Sequence, residues 1–117
     1  MKTDKYINYT FESSSVKTEE FKSFARAFKG DIKELIQSDF ELVSFSVGHF
    51  YISGFLKFNL NGKYIYFSIS DVRHFPNQWR TNILVRTAEH EKDYTGGSNN
   101  YTTLENFKHN AVMLALK

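Results

Sequence analysis

Two alternating runs joined by an Asn-Gly pair constrain this chain most. Tyr51, Ile52, Ser53, Gly54, Phe55, Leu56, Lys57 and Phe58 form the first run, and Lys63 to Ser70 (Tyr64, Ile65, Tyr66, Phe67, Ser68, Ile69 between) form the second. Asn61-Gly62 lies between them. Asn-Gly tolerates positive φ at both central residues of a type I′ turn, whose twist matches paired strands. β-branched and aromatic residues suit a pleated surface. An antiparallel hairpin is therefore expected. Its parity puts Ile65, Phe67 and Ile69 on one face and Tyr64, Tyr66 and Ser68 on the other.

The rest of the chain supplies what the hairpin needs to be buried. Phe21, Phe24, Ala25, Phe28, Ile32, Leu35 and Ile36 recur at helical spacing, which predicts a long helix over 16–37. Ser15 or Thr18 is its expected N-cap, with Glu19 and Glu20 in the first turn. Lys22, Arg26, Lys29 and Lys33 form a basic row on another face of this helix, suited to phosphates or simply to water. Residues 5–12 read as a short edge strand ended by Ser13-Ser14-Ser15, and 40–47 as a strand with Val43, Phe45 and Val47 on one side. Gly54 suggests a bulge or a close approach by the helix. A loop over 71–80 and a strand over 81–87 come next. The polar stretch 89–100 includes the glycine-rich run 95–100, which lacks a P-loop's Gly-Lys-Ser/Thr ending and reads as a flexible loop. Thr102-Thr103-Leu104-Glu105 reads as a capping box opening a helix from Thr103, with Leu104, Phe107, Ala111, Leu114 and Ala115 inside. The expected fold is α+β in β-α-β-β-β-β-α order. An antiparallel sheet of four to five strands carries both helices on one face.

At 117 residues, one domain spanning 1–117 is expected. The absence of cysteine excludes disulfides and thiolate metal sites. No run approaches the roughly 20 apolar residues of a membrane span, and residues 1–6 lack a signal-like apolar stretch. A cytoplasmic protein without cofactor, metal or membrane association is the expectation. Net charge is only +2, but residues 49–87 carry Lys57, Lys63, Arg73, Arg80 and Arg86 against Asp71 alone. Such a patch can steer an anionic partner, and ordinary solvated edge charges have the same composition.

Chemistry-bearing residues gather after the second hairpin strand. Asp71, Arg73 and His74 leave that strand, Trp79 and Arg80 close the loop, and Arg86, His90 and Asp93 follow. His74 with Asp71 is capable of general acid/base work, which makes a small nuclease or hydrolase one reading, although no metal-ligand spacing accompanies them. Tyr64, Tyr66 and Arg86, with Lys57 and Lys63, suit a stacking platform for single-stranded nucleic acid. The same residue types dominate protein interfaces. The leading reading is a non-enzymatic binding protein. It would engage a protein or ribonucleoprotein through Tyr64, Tyr66, Asp71, Arg73, His74, Trp79, Arg80 and Arg86.

The helix, strands, helix order resembles the double-stranded RNA-binding domain in topology. That family's glycine-proline-x-histidine loop and Lys-Lys-x-x-Lys helix start are absent, and the closing helix begins Leu104-Glu105-Asn106-Phe107-Lys108. Residues 68–74, 83–88 and 92–100, together with chain length and richness in Lys, Asn, Phe and Tyr, resemble small proteins of Gram-positive phages and integrative elements. That likeness carries over no functional residue. It implies a protein that blocks a host defence complex, as anti-CRISPR proteins do, by occupying the surface of a target such as a CRISPR-Cas effector.

Overall fold

The structure, a computed structural model, describes residues 1–11, 18–73 and 77–117. Helix α1 (Thr18–Leu35) forms where the apolar spacing requires it. Phe21, Phe24, Ala25, Phe28 and Ile32 are buried along one stripe, with Ile36 just beyond the helix end. The helix runs through Gly30 unbroken. Of the two expected caps, Ser15 lies outside the described residues.

No strand forms over residues 5–11 of the expected edge strand at 5–12, whose Glu12 lies outside the described residues; a 3-10 turn, Lys2–Tyr6, leads into this stretch instead. The cause is Asp31, a buried carboxylate on α1. It accepts the Lys2 amide at 2.7 Å, the Thr3 amide at 3.0 Å and the Thr3 hydroxyl at 2.6 Å. These bonds satisfy a carboxylate that burial would otherwise penalise, and they pin the segment to the helix. Asn8 then turns back with φ +68°. Tyr6 and Phe11 pack their rings on Phe24 at 5.2 and 5.5 Å.

Strands β1 (Phe40–Val47), β2 (Ile52–Phe58), β3 (Tyr64–Ile69), β4 (Ile83–Ala88) and β5 (Asn100–Thr102) form an antiparallel meander in chain order. In the central hairpin Ile52 faces Ile69, Gly54 faces Phe67 and Leu56 faces Ile65. Its connection is longer than the expected two-residue turn. Phe58 donates to Lys63 O and Gly62 donates to Phe58 O, both at 2.8 Å, which encloses residues 59–62. Gly62 has φ +75°, whereas Asn61 keeps a negative φ. Asn61 is used otherwise: its amide donates to Ala115 O at 2.9 Å while its Oδ1 accepts the Lys63 amide. The turn is thereby tied to the closing helix.

Parity holds along β3. Ile65, Phe67 and Ile69 are buried, and Tyr64, Tyr66 and Ser68 are half-buried on the opposite face. At Gly54 an added Cβ would lie 2.6 Å from the Phe67 ring and 2.7 Å from the Ser44 carbonyl oxygen. The close approach thus comes from a neighbouring ring and from β1. A register shift between Leu42 and Ser44 puts the bulge on β1 itself, so Leu42 takes the place expected for Val43 on the side of Phe45 and Val47.

Two further corrections concern the second half. The expected loop over 71–80 contains a short helix, α2 (Gln78–Thr81), which buries Trp79 against Phe24 at 5.1 Å between rings. The closing helix α3 (Phe107–Ala115) starts later than Thr103. Thr102 is taken by the sheet, where it pairs with Ile83, and Glu105 goes to Arg80 at 2.8 Å. The cap-like bond shifts by one residue, with the Asn106 amide donating to Thr103 Oγ1 at 3.1 Å. Leu104 is buried ahead of the helix, and Phe107, Ala111, Leu114 and Ala115 face inward as expected.

One hydrophobic cluster joins α1, the sheet's inner face, α2 and α3. Phe107 meets Phe67 edge-on at 5.4 Å. The architecture is α+β: an antiparallel five-stranded sheet with α1 and α3 over one face. Its order is α-β-β-β-α-β-β-α after the 3-10 turn. Among the described residues no helix is long and apolar enough to cross a membrane.

Candidate functional site

The outer sheet face, expected to be open and cationic, is partly closed by its own loop. Phe55 points to this face yet is only 1% exposed. Tyr66 covers it at 5.0 Å between ring centroids and Tyr94 meets it edge-on at 5.3 Å. Arg86, beside Tyr66, is 3% exposed. Its guanidinium lies 4.3 Å from the Tyr66 ring centroid and donates to Asp93 O at 2.8 Å and Thr87 O at 3.2 Å. A cation enclosed by two carbonyl oxygens and a π face is satisfied internally. Arg86 is therefore a structural residue, contrary to its expected contact role.

Asp93 holds this loop in place. Its carboxylate accepts the backbone amides of Glu89 at 2.9 Å, Thr95 at 3.2 Å and Gly96 at 2.8 Å. These bonds, Glu89's first, keep the Asp93 carboxyl below its ordinary pKa, against the opposing pull of burial. The run 95–100 is thus anchored at its start, and Gly97, with φ +67°, presses against Thr87.

The remaining residues of the expected patch separate. Trp79 is a core residue, 1% exposed, and among the described residues its Nε1 has no hydrogen-bond partner. Arg80 pairs with Glu105, and the Lys63 ammonium donates to the Lys117 carbonyl. Asp71 and Arg73 form a two-pronged ion pair, which raises the Arg73 pKa chiefly through the Asp71 hydrogen bond. His74 lies outside the described residues. Tyr64 and Tyr66 stay half-buried, with Lys57 Nζ 5.9 Å from the Tyr64 ring centroid.

Arg73 points toward a different place. Its guanidinium sits 4.5 Å from the Phe50 ring centroid and Nη1 is 3.4 Å from His49 Nε2. Phe50 and His49 close one end of a groove of about 400 Å³ between α1 and β1. Phe21, Ala25, Phe45, Val47 and Phe50 make its apolar lining; Lys22, Arg26 and Lys29 line it from α1. Lys29 Nζ lies 5.6 Å from the Phe45 ring centroid, Arg26 reaches Ser23 Oγ at 3.0 Å, and Lys22 pairs with exposed Glu19 at 3.1 Å. All three cations are exposed to solvent.

Phe50 shapes this end of the groove through an unusual backbone. It is 1% exposed with φ +64°. A bulky residue in the left-handed region costs roughly 1–3 kcal/mol, so the surroundings must hold it there. They do so through Phe21 at 5.1 Å, through Arg73, and through the Val72 amide donating to Phe50 O at 3.1 Å. Of the expected site residues, Arg73 touches two residues that line the groove, His49 and Phe50, while Asp71 reaches it only through Arg73. The basic row on α1 and the pairing of Phe45 with Val47 on one side of β1 were each legible, but that they face each other across a groove was not, since only the packing of β1 beside α1 creates it.

Among the described residues no three His, Asp or Glu side chains converge as a metal site. Comparison with family models, curated proteins and solved structures finds no match to this chain.

Proposed function

We propose that this chain is a non-enzymatic binding protein whose recognition surface is the α1/β1 groove, and that its partner is a protein segment bearing both apolar and acidic side chains. One observation carries the reading: three exposed cations, Lys22, Arg26 and Lys29, border an apolar lining that includes half-buried Phe45 and exposed Val47. An apolar surface rimmed by one sign of charge gives affinity through burial and partner choice through charge. The setting implied by the likeness to phage and mobile-element proteins, occupation of a host defence complex such as a CRISPR-Cas effector, is compatible with this surface.

The nucleic-acid reading loses its original support. Of the five cations between residues 49 and 87, Arg86 is enclosed and Lys63, Arg73 and Arg80 hold partners within the chain. The hydrolase reading loses a free Asp71, whose carboxylate is occupied by Arg73.

The test is capture of partners by the intact chain beside the triple variant Lys22→Glu, Arg26→Glu, Lys29→Glu, each with and without nuclease. The expected result is nuclease-resistant capture that the triple variant loses. Capture unaffected by the charge reversals would overturn the reading. Capture abolished by nuclease would return the nucleic-acid alternative.

A further inference from the structure

We infer that the groove's occupant is an extended peptide segment that adds to the sheet as a sixth strand along β1; this rests on the groove reading above. β1 is an edge strand, and among the described residues no strand pairs with its outer side. The two sheet edges differ. β5 is three residues long, the sort of short edge that resists pairing, whereas β1 has eight residues. The last four, Ser44 to Val47, follow the bulge and carry no charge.

The hydrogen-bond alternation shows which backbone groups are available. Gly48 donates to Tyr51 O at 2.9 Å, so this pair is a bonded one. Stepping back along the antiparallel ladder, Ser46 and Ser44 turn toward β2, and Phe45 and Val47 turn their N–H and C=O groups to the outer edge. Phe45 and Val47 are also the β1 side chains that line the groove. A segment bonded to their backbone would therefore lay every second side chain under the flank of α1.

The charge pattern selects the segment's chemistry. Lys22 and Lys29 are seven residues apart, about 10 Å along a helix. Acidic side chains four residues apart on a strand are about 13 Å apart, within reach of both. Valine-sized groups between them would meet Phe45 and Val47. A second copy of this chain fits poorly in an edge-to-edge arrangement, because its own Lys22, Arg26 and Lys29 row would approach the first. The occupant is thus a different protein's acidic, alternating segment.

The test uses a fluorescein-labelled probe, acetyl-Val-Thr-Glu-Thr-Val-Thr-Glu-Thr-amide, titrated against the intact chain by anisotropy. Its companions have Lys in place of Glu, or N-methyl groups on the odd or on the even amides. Strand addition predicts at least tenfold weaker binding for the Lys peptide and for one N-methylated set alone. It also predicts slowed amide exchange at Phe45 and Val47 in the bound state. Equal effects of the two N-methylated sets, or unchanged exchange at Phe45 and Val47, would overturn strand addition while the groove reading stands. Equal affinity for the Glu and Lys peptides, or none for either, would also overturn the inference. The groove reading itself falls if the triple charge reversal leaves partner capture intact or if nuclease abolishes capture.

Discussion

Arg86 has its guanidinium on two carbonyl oxygens and a tyrosine ring, 3% exposed, while Arg26 stands exposed at the groove with a serine hydroxyl for company. In the sequence the first belongs to the most cationic stretch and the second to a helix whose neighbouring acids offset it. The fold reverses that ranking. Arg86 in the sheet has loop carbonyls close by and is enclosed by them, whereas among the described residues the acceptors of Lys22 and Arg26 are neighbours on their own helix. Charge available to a partner is what remains after the fold has engaged the rest, and at the groove that is chiefly Arg26 and Lys29, exposed and in no ion pair among the described residues.

The strongest way to sharpen this contrast is Trp79, which the sequence places among contact residues and the fold places in the core. Trp79→Ala should lower unfolding stability by about 3–5 kcal/mol, as large buried aromatics do; urea denaturation would show it. A stable Trp79→Ala protein that had lost only its partner would return Trp79 to the surface. Next in size is Arg86→Ala, expected to cost about 2–3 kcal/mol through lost charge-assisted bonds. The same measurement should give a similar cost neither for Arg26→Ala nor for Lys29→Ala.

Acid offers a reversible probe of the outer face. Asp93 has a lowered folded pKa, so its contribution is full above the ordinary carboxylate value of 3.8. As pH falls through that value toward the lower folded one, the contribution fades, and below it the contribution is gone. The Tyr94 ring signals and the amides of Glu89, Thr95 and Gly96 should shift together in that window before global unfolding. Asp93→Asn should remove the step. The smallest stability effect belongs to the groove: Lys22→Glu, Arg26→Glu and Lys29→Glu should each stay within about 0.5 kcal/mol of the parent. A larger loss would mean that these cations serve the fold and not a partner.

Periodicity alone was enough for α1, for the bounds of β1, for the hairpin faces and for the inner stripe of α3, but not for the face of β1, which the bulge at Val43 shifts. Those features depend on side chains a few residues apart, and burial enforces them at every repeat. Long-range polar bonds lay beyond that reach. Asp31 draws residues 2 and 3 onto α1 across 29 and 28 positions, Asn61 reaches Ala115, and β4 takes Thr102 from its expected cap. The groove is of the same kind. Its cations were visible as a row, but the wall of Phe45, Val47 and strained Phe50 exists only once β1 is laid beside α1, since a recess between two elements has no local spacing to announce it.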